Sequence, residues 1–79
     1  MRVKDILKTG DEVKLVSIDG VFEVRGEYIA ETDTTWIIRI NTGVKIEIHH
    51  YPKSAVILVQ DETFQLRTDL KGDLVRIDN

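Results

Sequence analysis

The sequence predicts an all-β fold: a small, strongly bent, five-stranded antiparallel barrel. Three observations carry that expectation. Apolar and polar residues alternate with a period of two through most of the chain after residue 11. Turn residues interrupt the alternation at short intervals, at Asp19-Gly20, Asn41-Thr42-Gly43 and Pro52-Lys53-Ser54. A glycine, Gly26, falls inside an otherwise β-rich run, where it costs packing and usually marks a sharp bend or a close backbone approach.

The elements follow in order. Val3, Ile6 and Leu7 sit at i, i+3 and i+4, which predicts a short helical turn before Thr9-Gly10 stops it. "EVKLVSI" (12–18) and "VFEVRGEYIA" (21–30) flank Asp19-Gly20, the signature of a hairpin closed by a two-residue loop. Phe22, Val24, Tyr28 and Ala30 share one face with Gly26, and Glu23, Arg25 and Glu27 take the other. "ETDTT" (31–35) is a polar turn, where Asp33 is expected to accept backbone hydrogen bonds. "WIIRIN" (36–41) is the third strand. "VKIEIHH" (44–50) is the fourth, with Val44, Ile46 and Ile48 facing in and Lys45, Glu47 and His49 facing out. Pro52 lacks a ladder donor and ends that strand; "AVILVQ" (55–60) is the fifth. "TFQLRT" and "LVRID" around "DLKGD" predict an extra C-terminal hairpin, so one domain spans 1–79, with its core at about 12–60 and an extension at 61–79.

Composition narrows the function. With 79 residues there is room for one core, and a domain of this size buries only about 60% of its unfolded surface. Without cysteine there are no disulfides or thiolate metal sites, and a reducing cytoplasm is the expected location. No apolar run approaches the roughly 20 residues of a membrane span, and "MRVKDILKTG" is not a signal peptide. The net charge of −3 argues against a general nucleic-acid binder. Its distribution is uneven, because residues 34–60 hold Arg39, Lys45 and Lys53 against Glu47 alone, and both histidines lie there too.

The fifth strand does not alternate. Val56, Ile57, Leu58 and Val59 put apolar groups on both faces, which a single barrel has no interior to cover. Either a second copy of the chain covers this strand or the C-terminal hairpin does. Neighbouring histidines on a strand point to opposite faces, so His49 and His50 are poor partners for one metal ion. Ser54 and the histidines are close in sequence, but nothing assembles them into a nucleophile with its base. No catalytic residue, metal or cofactor is expected. Glu23, Glu27, Glu31 and Asp33 read as a solvated face.

Residues 12–60 resemble the Sm-like family (the LSm and Hfq-type ring proteins). The first motif of that family reads here as Val13 and Leu15, Gly20, Val24, Gly26, Ile29, Asp33 and then "WIIRI"; "KSAVILV" (53–59) is similar to the second. The intervals from Gly20 to Gly26 and from Gly26 to Asp33 are each one residue longer than the family pattern, which a bulge in the second strand would absorb. Ile37 and Ser54 replace an asparagine and a histidine of the family pattern, and its Arg-Gly pair is absent.

The resemblance implies a homo-oligomeric ring of about five to eight subunits, in which the fourth strand of one copy pairs with the fifth of the next. Ile46, Ile48, Val56, Ile57, Leu58 and Val59 would then form the subunit interface. It also implies single-stranded RNA bound by two loops, about 32–36 and 49–54. Those loops and their surroundings offer Thr35, Trp36, Arg39, His49, His50, Tyr51 and Lys53. Trp36 and Tyr51 have packing roles as alternatives, in the core and at the barrel corner. The other functional class is a protein-binding or structural ring with no RNA role, for example a virion-associated component, and the acidic charge favours it.

Overall fold

A computed structural model describes residues 3–60 and 66–76. These residues form an all-β molecule, a single antiparallel sheet in which the described strands run in the order β4-β3-β2-β1-β5-β6-β7. The strands are β1 (Glu12–Ser17), β2 (Glu23–Glu31), β3 (Thr35–Asn41), β4 (Ile46–Pro52), β5 (Val56–Val59), β6 (Leu66–Thr68) and β7 (Leu74–Arg76). A 3-10 turn at Val3–Asp5 precedes them. The order is open rather than closed, and β6 and β7 add the expected C-terminal hairpin to the five core strands.

The sheet nevertheless bends hard. Trp36, Ile38, Leu15 and Leu58 are almost completely buried, although the described residues provide no second layer beyond the Val3–Leu7 turn. One face of the sheet must therefore wrap around its own side chains. The bend is concentrated in β2. A Cβ at Gly26 would lie 2.5 Å from Ile38 Cγ2 and 2.8 Å from the Arg39 carbonyl oxygen, so only glycine lets β2 and β3 approach this closely.

The β1–β2 connection is longer than expected. Ser17 N–H donates to the Phe22 carbonyl, which leaves Ile18–Val21 as a four-residue loop rather than a two-residue Asp-Gly loop. Asp19 explains the difference, because its carboxylate accepts from Ser17 Oγ at 2.6 Å and from Val21 N–H at 3.0 Å. These bonds, the Ser17 hydroxyl first, hold its carboxyl below the ordinary aspartate range.

β2 also carries a bulge between Tyr28 and Ala30. Tyr28 pairs with Ile38 on the inner face, but Ala30 then pairs with Ile37 on the outer face and Glu31 with Trp36. Ala30 therefore leaves the face it was expected to share with Tyr28, and Glu31 turns inward. An extra residue in one strand reverses the parity of everything after it.

The C-terminal hairpin closes the far end. β6 pairs with β5 at Val59 and Arg67, and the Thr68 hydroxyl accepts from Leu58 N–H at 2.8 Å. The expected hairpin segments 63–68 and 74–78 lie partly outside the described residues. This hairpin covers β5 within the chain: Val56, Leu58 and Val59 are buried and Ile57 is half-buried.

Candidate functional site

The Thr35–Pro52 and Trp36–Tyr51 pairs put the start of β3 beside the end of β4. Lys53 N–H donates to the Thr34 carbonyl at 2.9 Å, which ties the two intervening loops together. The expected loop residues are thus neighbours, but their side chains divide between three environments.

Two of them lie inside. Trp36 is fully buried in the core, and Lys53 is 5% exposed. Lys53 Nζ sits 2.5 Å from Glu31 Oε2 and 4.6 Å from the centre of the Trp36 ring. Glu31 Oε1 accepts from the Tyr28 hydroxyl at 3.1 Å. The β2 bulge is what aims Glu31 into this cluster. Gly72, in the β6–β7 turn, lies against it: a Cβ there would be 2.6 Å from Lys53 Cδ. Burial, followed by the negative charge of Glu31 and their hydrogen bond, pushes the Tyr28 hydroxyl far above the ordinary tyrosine range. A charge this deep is retained by its pairing and is not displayed to a ligand.

Others are occupied at the surface. Arg39 Nε donates to Glu27 Oε2 at 2.9 Å, and Nη2 of the same guanidinium also contacts that oxygen. The Thr35 hydroxyl is 2.6 Å from the Thr32 hydroxyl, which accepts from Thr35 N–H and Thr34 N–H. Thr32, rather than Asp33, shapes this turn. A cleft of about 740 Å³ crosses the outer face between Lys14, Arg25, Glu27, Arg39 and Ile46. Cations and carboxylates alternate along it, so it offers no single sign of charge.

The third environment is β4. His49 and Tyr51 stack with ring centres 6.0 Å apart and planes 16° from parallel. Phe22, which was not among the candidate site residues, completes a strip: its ring centre is 6.0 Å from that of Tyr51 and it is partly exposed. His49 Nε2 lies 3.5 Å from Glu47 Oε1. Burial, then the Glu47 charge, raises the Tyr51 hydroxyl above its ordinary value.

No family model, curated protein or solved structure matches the chain.

The facing of β4 is the reverse of the expected one. Trp36 pairs with Tyr51, Ile38 with His49 and Ile40 with Glu47, so the polar and aromatic set lies on the core side. Ile46 and Ile48 point outward, 65% and 53% exposed. The reason is the bend: the core side of β4 opens at the rim beside Phe22, where polar groups reach water. His49 and His50 consequently point to opposite faces.

The second edge of β4 meets no other strand among the described residues. Lys53 N–H donates to the Thr34 carbonyl just before β3, and Thr42 N–H donates to the Lys45 carbonyl at 3.0 Å, so the odd-numbered backbone groups of β4 look toward β3. The N–H and C=O groups of Ile46, Ile48 and His50 therefore look outward from the sheet.

Proposed function

We propose that this chain is a non-catalytic assembly module, an Sm-like bent barrel that works as a homo-oligomer joined through β4. The observation that carries the reading is the reversed facing of β4. Two exposed isoleucines flank a backbone edge with outward-looking hydrogen-bonding groups, and such edges are ordinarily shortened, charged or covered. The order β4-β3-β2-β1-β5 supports the Sm-like reading, because it leaves β4 and β5 on opposite sides of the five-strand core, as edge-to-edge assembly needs.

The Sm-like ring scheme meets one obstacle. β6 lies on the edge of β5 that a neighbouring copy would use, so a ring of about five to eight copies requires that hairpin to move. Assembly through β4 alone requires no such change.

A second reading, single-stranded RNA binding, is favoured by the Phe22–Tyr51–His49 strip, since each base stacked on an aromatic ring contributes roughly 1–3 kcal/mol. Against it stand the burial of Trp36 and Lys53 and the pairing of Arg39 with Glu27. Repeated weak sites in an oligomer would add avidity.

Native mass spectrometry with and without oligo-U or oligo-A tests both readings together. Assemblies at micromolar concentration support the first, and a monomer rejects it. Bound RNA that is lost on Tyr51→Ala and weakens steeply with salt supports the second, and no binding at low salt rejects it for these sequences.

A further inference from the structure

We propose that the partner of β4 is β4 of a second copy, paired antiparallel about a two-fold axis at Ile48. This inference rests on the assembly reading above and adds the occupant and its register.

The choice of register follows from which backbone groups face outward. Only Ile46, Ile48 and His50 present both groups of a ladder pair to the open edge, since Pro52 has no N–H and Val44 sits at the tip of the β3–β4 turn. An antiparallel partner must therefore place even-numbered residues opposite even-numbered ones. With Ile48 opposite Ile48 of the second copy, Ile46 falls opposite His50 in both directions, and all three outward-looking positions are paired.

The same register solves the charges. The intervening pairs set Glu47 directly opposite His49 of the second copy, and His49 opposite Glu47. These are the non-hydrogen-bonded pairs, whose side chains approach most closely. Sliding the partner two residues toward the turn puts Glu47 against Glu47, a like-charge contact that disfavours pairing. Sliding it the other way sets His49 against His49, and Ile46 meets Pro52. On the outer face, Ile46, Ile48 and His50 become one continuous row with their symmetry mates, which sets the exposed Ile48 side chains side by side. The contact is isologous, so it closes at two copies and needs no movement of the β6–β7 hairpin.

Charge exchange tests the register. Analytical ultracentrifugation of the full chain should show a dimer, with His49→Glu raising its dissociation constant about tenfold by creating two like-charged pairs. The double variant Glu47→Lys/His49→Glu replaces both like-charged pairs with oppositely charged ones and should recover the wild-type constant. Circular dichroism confirms that each variant is folded. Because the chain has no cysteine, cross-linking provides an independent arm. Oxidised Ile48→Cys should run as a covalent dimer on a non-reducing gel, since its sulfurs meet on the axis, whereas the more exposed Val44→Cys should not. A dimer or larger oligomer that is indifferent to His49→Glu, that the double variant does not restore, or that cross-links equally at position 44 overturns the register and leaves assembly standing. A wild-type monomer at micromolar concentration overturns both.

Discussion

The aromatic rings of Phe22 and Tyr51 are 6.0 Å apart, although the whole of β2 separates Phe22 from the point where the sheet leads to Tyr51. Glu31, at the far end of β2, pairs with Trp36, and Trp36 pairs with Tyr51. A straight strand would carry Phe22 roughly 30 Å from that end at about 3.3 Å per residue. The contact therefore measures how far β2 folds back on itself.

The bend depends on Gly26. Gly26→Val should destabilise the fold by at least about 1–3 kcal/mol, because the new side chain meets the Arg39 backbone as well as the movable Ile38 methyl. It should also separate Phe22 from Tyr51. Denaturant unfolding reads the first effect, and loss of the nuclear Overhauser contact between the two rings reads the second.

The buried pair at the other end of the bulge carries a separate expectation. Lys53→Ala leaves Glu31 uncompensated in a buried site and should cost about 3–5 kcal/mol, whereas Lys53→Ala combined with Glu31→Gln should recover part of that loss. Equal stability of the single variant and the wild type, measured by chemical denaturation, would show that the pair contributes nothing.

Alkaline stability follows from Tyr28. Its folded hydroxyl holds its proton more tightly than an unfolded tyrosine does, because of burial and then Glu31. The unfolded chain therefore releases that proton first, and the stabilisation, complete below about pH 10, is lost as pH rises from there toward the folded value. Tyr51, raised by burial and Glu47, adds in the same direction. Tyr28→Phe should flatten the decline in stability between about pH 10 and 12, by up to ~1.4 kcal/mol per pH unit. Urea midpoints measured across that range test it.

Much of the fold is legible in the sequence because period-two alternation and turn residues are local signals. They place all five core strands, the C-terminal hairpin and the bend at Gly26. The long Gly20–Gly26 and Gly26–Asp33 intervals leave room for a bulge in β2 but do not reveal its consequence: reversed parity sends Glu31 inward, where it captures Lys53 and removes that cation from the surface. Alternation in β4 shows that its two faces differ without showing which one the bend will bury. The four-residue β1–β2 loop depends on a hydroxyl–carboxylate bond between Ser17 and Asp19, which outweighs the preference of Asp-Gly for a two-residue turn. Phe22 joins the strip only through the long-range fold of β2, and no local pattern marks it.

In the proposed assembly, the open edge of β4 is covered by another copy of the chain. Amide hydrogen exchange tests it most directly, at the three positions whose N–H groups look outward. Ile46, Ile48 and His50 should be protected at micromolar protein concentration, and protection at Ile46 and His50 should disappear in the folded Ile48→Lys variant. Fast exchange at all three positions in the wild type, at the same concentrations, overturns it.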